Sequence, residues 1–174
     1  MWYYSYPPTE KVMHLPFYVY SEGLHELQPP ILSLSGHHVD QFFYHTRGKG
    51  VLILNGTTYT LSEKSGFYIP AHMPHEYYPL SDIWDIRWFA VGGHGLSALY
   101  RACHLVPGVY PLLDCSSLDI ILRKIHELIV ADSDNGNLFA SAHVFEFIAA
   151  FARQAGLIGI KDKEILPPDT TDIY

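Results

Sequence analysis

The chain has 174 residues, 48% of them hydrophobic and 17% charged, with a net charge of −7. That balance excludes a disordered chain, and with Lys and Arg totalling 11 no stretch is basic enough to be the footprint of a nucleic-acid binder. The length fits a single domain that buries its core without staples.

Cys103 and Cys115 form neither a C-x-x-C motif nor a disulfide framework, so a reducing, cytoplasmic setting is expected. The opening MWYYSYPPTEKV lacks the basic and apolar regions of a signal peptide. No apolar run has the length of a membrane span. Tyrosine is frequent, at 13 residues, and its ring with one polar tip suits polar organic ligands and interfaces.

From residue 15 to 91 the chain reads as short strands bounded by Gly, Pro, Asn, Asp and Ser: LPFYVYS, PILSLS, QFFYHT, VLIL, TTYTL, GFYI, EYYPL and DIRWFAV. Asn55-Gly56 supplies the two positive φ angles of a type I′ turn, so VLIL and TTYTL form a hairpin. Many short strands at this spacing predict a barrel or sandwich. In PAHMPHEYYPL the prolines set a turn, after which side chains alternate. Glu76 resists burial, which aims His75 and Tyr77 inward. In WDIRWFA, Asp85 and Arg87 are expected to seek solvent, aiming Trp84, Ile86 and Trp88 inward. An interior of indoles, a phenol and an imidazole has the composition of an organic-ligand pocket. In QFFYHT alternation leaves two choices open: Phe43 and His45 inward, or Phe42 and Tyr44.

The period then changes. Leu118, Ile121, Leu122, Ile125, Leu128 and Ile129 mark one amphipathic helix with Ser117 as its N-cap. DSDNGN, at 132–137, breaks it. A second helix is predicted from Leu138 to Gln154, with Gly156 as its stop. Its apolar face is wide enough to meet both its own barrel and a second subunit, and Leu138, Phe139, Phe145, Ile148 and Phe151 are the candidate dimerisation residues. The tail KDKEILPPDTTDIY reads as a linker. The expected organisation is therefore a barrel with an N-terminal arm over 1–112, a helical dimerisation segment over 113–160 and a linker over 161–174.

The Gly-rich turn TRGKG, the Asn-Gly hairpin and the P-x-x-x-P-H turn resemble the cupin barrel, mainly β with added helices. In metal-dependent cupins the histidine at the position of His75 binds an ion. The first cupin motif offers His37, His38 and Asp40 in GHHVDQ, so a site of His37 with His75 is the metal alternative, and no metal or other cofactor is the expectation. Over about Leu15 to Gly156 the chain is similar to the N-terminal sensing and dimerisation domain of AraC-type transcription regulators. That resemblance implies a cupin-like jelly-roll barrel followed by two antiparallel helices. It implies a small, often sugar-like effector and a homodimer, with DNA read by a separate helix-turn-helix domain. By position His75, Tyr77 and Trp88 match pocket-lining residues, with Trp84, Ile86, His45 and Phe43 as further candidates, and the arm MWYYSYPP is expected over the pocket. Ser33-Leu34 replaces an Arg-Pro common in sugar-sensing members, and Lys64-Ser65 replaces a Gly-Asp. The expectation is a non-enzymatic effector domain; a metal-dependent cupin isomerase or dioxygenase and a stand-alone carbohydrate-binding cupin are the alternatives.

Overall fold

The computed structural model describes residues 3–5, 8, 10–132 and 135–159. The predicted tail at 161–174, residues 133 and 134 of the predicted break, and residues 1, 2, 6, 7 and 9 of the arm lie outside the described residues. The elements run β1 (Tyr3–Ser5), β2 (Tyr18–His25), β3 (Ile31–Ser33), β4 (Asp40–Tyr44), β5 (Gly48–Leu54), β6 (Thr57–Leu61), β7 (Ser65–Ile69), β8 (His75–Trp84), β9 (Ile86–Gly92), α1 (Leu96–Ala102), β10 (Gly108–Pro111), α2 (Ser116–Ala131) and α3 (Gly136–Gln154). Two antiparallel sheets are ordered β1-β2-β9-β4-β7-β10 and β3-β8-β5-β6. They face one another as a cupin-like barrel, and the helices cover the outer face of the six-stranded sheet.

Local sequence accounts for the turns. Asn55 and Gly56 take φ of 48° and 77°, the pair of positive angles the hairpin between β5 and β6 requires. Gly50 is needed for a different reason. A Cβ there would lie 2.3 Å from the Trp84 ring, so the missing side chain makes room for the largest residue of the interior.

Alternation sorts the side chains into two cores. Phe43, Leu52, Phe67, Ile69, Tyr77, Trp84 and Ile86 meet between the sheets. Phe42, Tyr44, Tyr68, Phe89 and Val91 point the other way and pack on the helices. This settles the face of β4: Phe43 enters the barrel, and His45, just past the strand, places its ring 5.8 Å from Trp84. Both faces of the strand are apolar because helices replace water on the outer one, so alternation alone carried no sign.

The antiparallel pairing of α2 and α3 is fixed at both ends. Leu113 N–H donates to the Gln154 carbonyl at 3.0 Å, and at the far end Gly136 lies against Leu128, where a Cβ would be 2.1 Å from its carbonyl oxygen. Ser117 is not the N-cap of α2; Cys115 holds that position without a side-chain bond, and the Ser117 hydroxyl accepts from Gln154 Nε2 at 3.2 Å. In α3, Ala140, Val144, Phe147, Ile148 and Phe151 follow the helical period and are fully buried. Phe151 meets Phe42 edge-on at 5.3 Å and Phe147 lies 4.5 Å from Phe89. Ile148 and Phe151 are therefore core residues of this chain and are withdrawn from the dimerisation set. Leu138, Phe139 and Phe145 are 45%, 61% and 51% exposed. Asn137 anchors the start of α3: its Oδ1 accepts Val19 N–H at 3.1 Å and its Nδ2 donates to the Val19 carbonyl at 2.6 Å, satisfying a strand residue beside a bulge in β2. Helix α1 and strand β10 had no counterpart among the predicted elements.

Candidate functional site

The barrel has a solid floor and a polar mouth. At the floor Trp84 is 1% exposed, Ile86 and His45 0%, and Phe43 2%. Phe43 stacks on Phe67 at 4.6 Å and tilts against Tyr77 at 5.4 Å, and Tyr77 meets Trp84 edge-on at 6.2 Å. All four candidates face inward, Trp84 and Ile86 as expected and Phe43 and His45 by the choice that alternation left open, but they close against one another and present almost no surface to a guest in this conformation. The reason is volume: Phe43 and Phe67 from one sheet, Tyr77 and Trp84 from the other and the His45 ring just past β4 fill the space between the sheets.

Asp85 and Arg87 correct the assignment that both seek solvent. Asp85 is 2% exposed and the Arg87 side chain 13%. The Asp85 carboxylate accepts from Thr46 N–H at 2.9 Å, Thr46 Oγ1 at 2.8 Å and Arg47 N–H at 2.8 Å, and it pairs with Arg87 at 2.8 Å. Burial alone would raise its pKa; the Arg87 guanidinium and the backbone N–H groups of Arg47 and Thr46 overcome that and bring it down to about 2. A buried charge is tolerated here because every lone pair has a donor.

The floor also holds unsatisfied polar atoms. Neither ring nitrogen of His45 makes a hydrogen bond of ordinary geometry, and Trp84 Nε1 has no partner. Burial pushes the His45 imidazole down to about 4, against the opposing pull of the Arg47 backbone and the Asp85 carboxylate.

At the other end His75 and Tyr77 lie with parallel rings 6.1 Å apart and are 6% and 7% exposed. Trp88, opposite Phe43 in the sheet register and so between floor and mouth, is half-buried against the inner cluster. His75 Nδ1 sits 2.9 Å from the Met73 carbonyl, which can only accept. Nδ1 is therefore the protonated nitrogen, and in the neutral ring Nε2 keeps its lone pair as an acceptor. Burial lowers the pKa of His75 and of His37, and for His37 the charges of His38 and His75 lower it further. The same end gathers Tyr20, whose ring is edge-on to His37 at 5.4 Å and to His38 at 4.5 Å, while the two imidazoles stack at 4.5 Å. Gln41, on the inward face of β4, has a buried Oε1 without a partner. A groove of about 260 Å³ lies beside this rim, bordered by Leu32, Leu34, Ile53, Pro74, His75 and Glu76.

Tyr20 and Gln41 are absent from the sequence-derived set, and His38 enters it only as part of the GHHVDQ motif and not as a ligand-facing residue. Tyr20 falls at the register shift between Val19 and Ser21, and a bulge re-aims a side chain in a way that alternation does not foresee. Gln41 was legible once the face of β4 is known. For the metal alternative, His37 and His75 are neighbours, but among the described residues no group of three or more His, Cys, Asp and Glu side chains converges to hold an ion. Residues 3–5 of the arm pair with β2 as an edge strand, Tyr4 opposite Gly23. No helix among the described residues is long and apolar enough to cross a membrane.

The profile of the AraC-like ligand binding domain matches residues 37–148, more than half of the chain, from the loop before β4 into α3. No curated protein matches the chain. Among solved structures it is similar to hydroxypropylphosphonic acid epoxidase from S. wedmorenis, at 13% identity over 43% of each chain with a TM-score of 0.36. It is similar to a cupin superfamily protein from Desulfitobacterium hafniense DCB-2, at 11% identity over 53% of this chain and 78% of that one, TM-score 0.38. A cupin-2 domain containing protein from Shewanella frigidimarina NCIMB 400 matches at 14% identity over 45% and 71%, TM-score 0.35. The chain spans less than half the length of the first of these.

Proposed function

The chain belongs to the AraC-like ligand binding domain family, and from that premise we propose that it is the non-catalytic effector-sensing and dimerisation domain of a cytoplasmic transcription regulator. The effector is a small, sugar-like molecule received at the mouth of the barrel. The observation that carries this reading is the lining between floor and mouth: Trp88, level with Phe43, offers a half-exposed ring, His75 beside Tyr77 offers an acceptor at Nε2, and Gln41 holds a buried oxygen awaiting a donor. Apolar C–H faces on the rings, with hydroxyls on the imidazole and amide, are the two demands a sugar-like ligand makes. The floor residues Trp84, Ile86, His45 and Phe43 support this site from below. The homodimer forms through the exposed stripe of α3 at Leu138, Phe139 and Phe145, and DNA is reached through a domain outside these residues.

A thermal-shift panel of neutral sugars on the purified chain tests the reading. A ligand at a hundred times its Kd stabilises by about 2.7 kcal/mol, and the shift should vanish in Trp88→Ala and His75→Ala. A binding sugar whose shift survives both substitutions would place the site elsewhere.

A further inference from the structure

Strand β9 carries opposite roles on its two faces. Inward lie Ile86 and Trp88; outward, Arg87 reaches helix α2, where its Nε donates to Asp119 Oδ1 at 2.8 Å. The Tyr44 hydroxyl donates to the same oxygen at 2.9 Å, and the Arg87 guanidinium lies 5.7 Å from the Tyr44 ring centroid. Through its other arm Arg87 pairs with buried Asp85, which Thr46 and Arg47 hold in place. One continuous chain of charge-assisted hydrogen bonds thus runs from the barrel floor to α2. A second tie, His126 Nδ1 to Glu22 Oε1 at 2.9 Å, fastens α2 to β2 two helical turns further on.

The inner end of that chain is where the barrel is least satisfied. Trp84 immediately precedes Asp85, and His45 immediately precedes Thr46, so the two residues with orphaned nitrogens are covalent neighbours of the two residues that hydrogen-bond one another. A ligand shifts an equilibrium only by interacting differently with its two states. Unpartnered buried donors and acceptors supply such a difference, because a state that satisfies them gains what burial now costs.

We propose that the Asp85–Arg87–Asp119 chain is the coupling element of this domain, transmitting a rearrangement of Trp84 and His45 at the barrel floor to the seat of helix α2. As a regulatory device it rests on the effector-sensing reading above, but the physical coupling exists without any ligand. It is reciprocal: loosening α2 at Asp119 disturbs the floor, and neutralising Asp85 loosens α2.

The experiment uses the whole chain, ¹⁵N-labelled, and follows the Trp84 Nε1–H resonance. Asp119→Ala, at a half-exposed helix position, should shift that resonance although Asp119 touches no floor residue. Arg123→Ala, exposed on the same helix, should not. In the reverse direction Asp85→Asn should speed amide exchange in the first turns of α2 by about tenfold, the scale of a lost charge-assisted bond, while α3 stays protected. A Trp84 resonance unmoved by Asp119→Ala, or α2 exchange unchanged in Asp85→Asn, overturns the coupling. Titration with glucose, galactose and arabinose is the separate arm. A sugar that moves both Trp84 and Asp119 signals joins the coupling to the effector. If none binds, the sugar-sensing reading fails, while the two variant results still decide the coupling.

Discussion

His45 makes the fold sensitive to mild acid, and the size of the effect follows from its position. It is fully buried, neither ring nitrogen makes a hydrogen bond of ordinary geometry, and burial brings its pKa from 6.5 to about 4 against the pull of the Arg47 backbone and the Asp85 carboxylate. Between those values the unfolded chain binds a proton that the folded chain refuses. Stability from this residue is fully present above pH 6.5 and is lost as pH falls toward 4. The gap of about 2.5 between the two values, at about 1.4 kcal/mol for each pH unit, amounts to about 3.5 kcal/mol in full, of which about 3 kcal/mol is lost by pH 4, where the folded ring is half protonated; that is a large share of the roughly 5–15 kcal/mol typical of a domain. The assay is urea unfolding at pH 7 and pH 4, followed by far-UV circular dichroism, for the parent and for His45→Leu. The substitution keeps volume and removes the titrating ring, so the difference between the two pH values should shrink by about 3 kcal/mol whatever it does to stability at pH 7. His37 and His75, also lowered by burial, contribute in the same direction to both proteins and cancel in the comparison. Equal acid losses in the two proteins would refute the reasoning.

Asp85 acts in a lower window: its carboxyl falls from 3.8 to about 2, so about 2 kcal/mol of stability present above pH 4 is lost as pH drops toward 2, and Asp85→Asn should flatten the profile there and not between pH 4 and 6.5. Gly50→Ala drives a methyl into the Trp84 ring and should cost about 1–3 kcal/mol in chemical unfolding, with altered tryptophan emission. Asn137→Ala leaves both backbone groups of Val19 without their partner; a loss of about 2–4 kcal/mol is expected from calorimetry. If the proposed dimer forms on α3, Phe145→Glu should abolish it in sedimentation velocity with little change in thermal stability, whereas Phe151→Glu should prevent folding, since one ring is 51% exposed and the other 0%.

Whatever depends on local geometry was legible in the residues alone. Asn55-Gly56 made its hairpin, the strands fell close to their predicted places, and Gly156 ended α3 with φ of 71°. The inward aim of His75 and Tyr77 was also legible, because Glu76 marked the solvent side of β8 by a single charged residue; Trp84 and Ile86 do point inward, but the solvent-seeking Asp85 and Arg87 from which that was argued are themselves buried. Where no such mark exists, contacts between distant segments set the outcome. On β4 both faces are apolar, since α2 and α3 take the place of water outside. At Asp85 and Arg87, charge was read as exposure, but Thr46, Arg47 and Asp119 arrive from distant sequence positions to pay the desolvation cost. On α3 the wide apolar surface divided into core and exposed stripe according to where the barrel stood. The bulge that gathers Tyr20 with His37 and His38 left no local trace. Periodicity fixes which side chains share a face; what that face meets is set by segments far away in the chain, and so is whether a charge there finds its partner.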